Sequence, residues 1–194
     1  MRPDKAVNIA LRASLVAMFL EVLRAGPDDP RYRRKGIAQR YALVGLPAGL
    51  LAPVARRLDR RTGAGPADRY SVAMDNLFLS ILVLDLAGNV LDLYDRHRHF
   101  DLIPHAHGTG AATVLAAWLL RQPMPGAVGA ATIGHILLEA QEYASDVAFG
   151  TRNVRGTWDV IGDLLAGVVG SLAYAAAYEA LVRRRGREPA SPLR

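Results

Sequence analysis

The chain has 194 residues, with 24 Lys and Arg against 18 Asp and Glu, a formal net charge of +6 and no cysteine. Without cysteine there can be no disulfide, thiolate metal site or cysteine nucleophile. The basic excess does not read as a nucleic-acid surface, because the arginines flank apolar blocks instead of forming one basic face interleaved with aromatics.

Those apolar blocks run for about 18–25 residues, the length that crosses a bilayer. The expected fold is all-α, a polytopic helical membrane protein of five or six transmembrane helices in one bundle, with residues 1–194 forming a single integral membrane domain. Arg2 and Lys5 before an apolar run resemble the start of a signal peptide. No small-residue cleavage site precedes the Gly26-Pro27 break, so a retained first span is expected. The spans fall at about 6–24, 38–55, 71–94, 102–120, 125–148 and 158–182. The second is short and holds Gly45, Pro47, Gly49 and Pro53, so it either crosses or packs against protein as a re-entrant segment. In the last span Gly162, Ala166, Gly167 and Gly170 make a small-residue face that lets another helix approach closely.

Basic loops set orientation. Arg31–Arg40 and Arg56–Arg69 are both basic, as is the tail Arg183–Arg187. If the second segment crosses, the two loops lie on opposite sides and the bias is weak; if it does not, both join the tail in the cytoplasm. Either way the expected C-terminus is cytoplasmic, in the bacterial inner membrane, with the loops around Arg96 and Arg152 outside and the polar site in the external half.

Polar residues interrupt the spans at helical spacing. His135, Glu139, Glu142 and Asp146 recur at i, i+4, i+7 and i+11, which puts them on one helix face. Asp85, Asn89 and Asp92 form a similar face upstream, and Asp159 and Asp163 another downstream. An ionisable group inside a bilayer costs roughly 2.5–3.5 kcal/mol on insertion scales and marks a functional site by default. Histidine and carboxylates on one face can present metal ligands from a bundle, or relay protons, or form only an interhelical hydrogen-bond network. Gln141 and Tyr143 lie off that stripe.

Between the third and fourth spans, D-x-x-x-H occurs twice, as Asp95 with His99 and as Asp101 with His105. Pro104 suits the first turn of a helix, which puts His105 at the mouth of the fourth span and leaves His97 and His99 in a solvated loop. Asp159 reads equally as a helix cap or a site residue; Asp163 lies too deep for capping alone. There is no G-x-S-x-G elbow, P-loop or dinucleotide fingerprint. Serine hydrolysis would need Ser71, Ser80, Ser145 or Ser171, none with a partner base by spacing.

Three blocks in order resemble the YjdF-type bacterial inner-membrane proteins, a group without an established function. They are Leu93-Tyr94 followed by Asp101-x-x-x-His105 and Gly108; Glu139-x-x-Glu142-x-x-x-Asp146 with Phe149-Gly150-Thr151; and Thr157-Trp158-Asp159-x-x-x-Asp163. The resemblance covers about 75–173; more distantly the blocks are similar to VanZ-like membrane proteins, a group associated with glycopeptide resistance. It implies that Asp101 and His105 matter more than Asp95 and His99. Ala106 stands where the family usually has an aromatic, and His107 and His135 are outside its pattern.

The expected catalytic set is Asp101, His105, Glu139, Glu142, Asp159 and Asp163. The expected metal ligands are His105, Glu139, Glu142 and Asp146, with His135 and His107 as lesser candidates. Such ligands suit Mn, Fe or Zn. Three functions are open: a metal-dependent enzyme acting on a lipid or lipid-linked substrate, a proton- or ion-coupled transporter, which at this length would need to form a homo-oligomer, and a non-catalytic accessory protein that binds a ligand.

Overall fold

A computed structural model of the chain describes residues 2–50, 71–121 and 123–187, and every regular element among them is helical. We number the helices α1 (Pro3–Ala25), α2 (Ile37–Arg40), α3 (Val72–Val90), α4 (Leu93–Arg96), α5 (Leu102–Leu120), α6 (Met124–Phe149) and α7 (Thr157–Arg187). α2 runs through a π-turn at Tyr41–Gly45 and stays helical to Leu50. The end of the expected second span, the basic loop at 56–69 and the side chains of the basic tail lie outside the described residues.

Among the described residues, three helices are long and apolar enough to cross a membrane: Pro3–Ala25, Val72–Val90 and Thr157–Val182. α5 and α6, with 19 and 26 residues, are also long, but His105, His107, His135, Glu139, Glu142 and Asp146 interrupt their apolar sequence. The third span is shorter than the expected 71–94. α3 begins at Val72, after Ser71, whose hydroxyl accepts the Met74 N–H at 3.4 Å, and stops at Val90. Asp92 then adopts a left-handed φ of 59° and starts the separate turn α4.

Burial runs opposite to that of a water-soluble helix. The inward residues of α6 are Ala127, Ala131, His135 and Glu139, while Ile133, Ile136, Leu137 and Val147 are exposed. α7 buries Asp163, Gly167, Gly170 and Ser171 and exposes Leu165, Val169 and Leu172. Isoleucine and leucine outside with histidine and acids inside is the pattern of a helix solvated by lipid.

The bundle has two halves. α1, α2 and α3 share an apolar core of Leu15, Phe19, Val22, Ile37, Tyr41 and Leu79. α1 and α3 are parallel, since Asn8 and Arg12 meet Asp75 near the start of α3 while Arg31, just beyond α1, reaches the Val90 carbonyl at its end. Residues 37–50 run back along α3: Tyr41 lies beside Leu82 and Asp85, and Gly49 lies against Leu15 and Leu79.

α5, α6 and α7 form the second half, with α6 antiparallel to the other two. Gly170 sits against the Ala106 carbonyl so closely that any side chain there would overlap it. The glycines thus set the α5–α7 separation, as the small-residue face predicts for Gly167 and Gly170. Gly162 has only ordinary contact, a Cβ there lying 3.5 Å from Leu102.

Candidate metal centre

The tight packing of α5, α6 and α7 brings their polar faces together one to two turns from the end at which α5 and α7 begin. His105 comes from the first turns of α5, His135 and Glu139 from consecutive turns of α6, and Asp163 from the second turn of α7. His135, Glu139 and Asp163 are 6%, 6% and 4% exposed, buried among the three helices.

Three ligand atoms converge. His105 Nδ1 and His135 Nε2 are 2.7 Å apart, and Glu139 Oε1 lies 3.4 Å from the first and 3.3 Å from the second. In a tetrahedral shell with metal–ligand bonds of about 2.0–2.1 Å, neighbouring ligand atoms stand about 3.3–3.4 Å apart. Two edges of the triangle already have that length. The third is a hydrogen bond between the imidazoles, whose shared proton a metal would displace. Glu139 Oε1 is buried and has no hydrogen-bond partner among the described residues, although buried carboxylate oxygens are normally compensated.

The outer nitrogens of both imidazoles are also held. His135 Nδ1 faces the Thr109 hydroxyl at 3.1 Å. His105 Nε2 faces Asp101 Oδ1 at 3.3 Å and Asp163 Oδ2 at 3.9 Å. Arg155 Nη2 donates to Asp101 Oδ2 at 2.9 Å, and the Asp159 carboxylate accepts the Arg155 backbone N–H at 2.9 Å. The chain from Asp159 through Arg155 and Asp101 to His105 resembles the outer partners that orient ligating histidines. Asp101, His105 and Asp163 form a second group at ligand spacing, on the other nitrogen of His105.

The sequence-predicted residues divide accordingly. His105 and Glu139 meet at the centre, with Asp101 and Asp163 behind His105. Glu142 lines the adjoining cavity, 3.8 Å from Arg40 Nη2. Asp159 lies in the first turn of α7, where its carboxylate accepts the backbone N–H of Arg155 at 2.9 Å. Asp146 is not among the ligand-spaced groups: it accepts the backbone N–H of Asn153 and Val154, both at 2.9 Å, and the Thr151 hydroxyl at 2.6 Å, closing the α6–α7 loop. His135, a lesser candidate by sequence, is at the centre. His107 points elsewhere, to Tyr174 OH at 2.6 Å and Ser80 Oγ at 2.9 Å. That Ser80–His107 pair joins residues 27 apart, which local spacing could not reveal. His97 and His99 are exposed.

No protein-family model, curated protein or solved structure matches this chain.

Asp85 serves the wall beside the centre. Its two oxygens accept the Tyr41 and Tyr94 hydroxyls at 2.7 and 2.9 Å. Gly45 lies directly beneath the Tyr41 ring, and the π-turn that begins at Tyr41 aims both Arg40 and Tyr41 inward; such turns are frequent at functional sites. Arg40, Asp85, Glu142, His105 and His135 all border a cavity of about 740 Å³.

His135 depends on a missing side chain. A Cβ at Gly167 would overlap its imidazole and come within 2.9 Å of Thr109 Oγ1. Gly167→Ala should therefore expel His135, at about 1–3 kcal/mol of overpacking, and reduce metal retention of the purified protein at least tenfold. Gly129→Ala, where a Cβ meets nothing within 4 Å, should retain wild-type metal in the same elemental analysis.

Proposed function

We propose that this chain is an integral membrane enzyme of the bacterial inner membrane that uses a divalent metal to act on a lipid or lipid-linked substrate. The observation that carries this reading is the buried Glu139 Oε1, which has no hydrogen bond among the described residues and faces two imidazole nitrogens at tetrahedral ligand spacing. His105, His135 and Glu139 would hold the ion, a two-histidine, one-glutamate set that suits a catalytic metal with an open position. Mn, Fe and Zn are the matching ions. When bound, the metal would supply Lewis acidity to polarise an oxygen of the substrate or of water. Glu142, one turn beyond Glu139 and facing the cavity, is placed to take or give a proton. Asp101 and Asp163 hold the outer face of His105.

A membrane setting accounts for the position of the site. Trp158 and Phe149 are 84% and 82% exposed at the site end of the bundle, where interfacial aromatics gather. Asp163 is five residues along α7 from Trp158, about 7.5 Å deeper. That depth is where lipid headgroups join their chains. The parallel α1 and α3, with the chain returning between them, support six crossings. With the C-terminus cytoplasmic, the site lies in the external half. In this reading the chain is an outlying relative of the YjdF-type group, which its Asp101, His105, Glu139 and Asp163 blocks resemble.

The test is turnover in reconstituted vesicles. Wild-type protein loaded with Mn, Fe or Zn should convert a phospholipid or polyprenyl-phosphate to a product detectable by mass spectrometry. Chelation should abolish conversion. Glu142→Gln should keep its metal yet lose about 10²–10⁴-fold in rate, the usual contribution of an acid–base group. Full metal occupancy without product from any lipid would overturn the enzyme reading. The 2.7 Å contact between His105 and His135 favours proton relay as the second reading, which gradient-driven flux in the same vesicles would establish.

A further inference from the structure

Three acids are buried among the described residues: Asp75, Glu139 and Asp163, at 7%, 6% and 4% exposure. Asp75 accepts hydrogen bonds from Arg12 and Asn8. Glu139 Oε1 and the Asp163 carboxylate accept none among the described residues. Both face the same imidazole, from opposite sides. Glu139 Oε1 lies 3.4 Å from His105 Nδ1. Asp163 Oδ2 lies 3.9 Å from His105 Nε2, too far for a hydrogen bond. The centre gives Glu139 a cation to face; Asp163 has no equivalent.

Helix capping does not employ Asp163, because the free N–H groups of α7 lie in its first turn and Asp163 is in the second. Asp101 stands beside it. Its Oδ1 is 3.3 Å from His105 Nε2, while Arg155 anchors its other oxygen at 2.9 Å, so Oδ1 is the one left to bind. The ligand atoms of Asp101, His105 and Asp163 all lie within 4.8 Å of one another. With bonds of about 2.1 Å, the edges to Nε2 subtend roughly 105° and 135° at an ion, an open shell with a further position for water. Asp101 and His105 border the cavity, which gives an ion its route inward.

We propose that Asp101, His105 and Asp163 form a second divalent-cation subsite, bridged to the centre by His105, with Nδ1 on one ion and Nε2 on the other. This deepens the metal reading of the same site and rests on it for the first ion. With one ion bound, His105 keeps a proton on Nε2 between the two aspartates. The second ion takes the place of that proton, which leaves to solvent, and the Asp163 carboxylate gains its counter-charge. Two carboxylates and an imidazole suit Mn or Zn. The second ion meets the charge of the first across one ring and must displace a proton, so it binds more weakly. Protein desalted after loading therefore keeps about one.

The experiment is a manganese titration of the metal-free full chain in detergent. Native mass spectrometry counts ions per chain, and electron paramagnetic resonance reads their coupling. Wild type should take up two ions in successive phases. The hyperfine-resolved signal of the first should broaden and fade as the second binds, because the bridging imidazole couples the two spins. Asp163→Asn keeps the side chain's shape and removes its charge; it should stop at one ion with an unperturbed signal, and Asp101→Asn should do the same. His105→Ala should lose both ions. Saturation of wild type at one ion that Asp163→Asn retains would overturn the subsite, as would a second ion that survives in both aspartate variants, an adventitious ion only. A second ion that leaves the first signal unchanged would overturn the bridge. Failure of the centre gives a different pattern: a single ion, kept in His135→Ala and lost in Asp163→Asn.

Discussion

If the proposed centre holds a divalent ion, replacing His135 with alanine should lower the affinity of the purified protein for that ion by more than about 100-fold and end the proposed turnover. Loss of an outer partner typically costs about 10–100-fold, and in the proposed centre His135 is a ligand itself, its Nε2 3.3 Å from Glu139 Oε1. The informative contrast is Asp146→Asn. By sequence Asp146 belongs to the stripe with His135 and Glu139, one helix face and regular spacing. Its carboxylate instead binds two backbone N–H groups and a hydroxyl of the loop that leads into α7. Asp146→Asn should therefore lower the melting temperature while leaving ion stoichiometry near that of wild type. Elemental analysis beside thermal unfolding in detergent checks both. Equal metal loss in the two variants would mean that the whole stripe acts as one cluster.

The second large effect is expected far from the centre, where α1 meets α3. Arg12 Nη2 donates to both oxygens of Asp75 at 3.1 and 2.9 Å, and Asn8 Nδ2 donates to Asp75 at 2.9 Å. Asn8 also donates to Asn76 at 2.6 Å, and Asn76 to the Asp4 carbonyl at 2.9 Å. The Arg12 and Asp75 side chains are only 14% and 5% exposed. Removing one member of a buried pair strands the other charge and costs about 3–5 kcal/mol, whereas replacing both with apolar residues is often close to neutral. Arg12→Leu and Asp75→Leu should each lower the melting temperature sharply, and the double variant should recover most of the loss. Additive losses in the double variant would show that the two residues stabilise the bundle independently.

Helix periodicity carried much of the design into view. The length of the apolar blocks gave the bundle, and the i, i+4 spacing of His135 and Glu139 put them on one face. The proline at position 104 put His105 at a helix mouth, where the structure has it. Periodicity could not rank the members of a face, because that depends on what the neighbouring helix leaves room for. Gly167 makes the space that seats His135, and no rule of spacing links residues 32 positions apart. His107 lies only two residues from His105, about 200° around the same helix, and so faces Tyr174 and Ser80. Asp146 sits past the last turn that α5 and α7 cover, close enough to Gly150 for the turning chain to claim its carboxylate. Arg40, which borders the cavity, was visible only as loop charge. What distinguishes it is the π-turn following it, a local irregularity that average hydropathy does not record.

The central claim is that His105, His135 and Glu139 hold one ion. X-ray absorption fine structure of the detergent-purified full chain, supplemented with Mn, Fe or Zn, tests it most directly. The expected result is about one ion per chain, with two imidazole nitrogens and carboxylate oxygen at about 2.0–2.2 Å, and loss of the imidazole signal in His135→Ala. A folded protein that retains far less than one equivalent of every ion offered, or holds one in an all-oxygen shell, would contradict it.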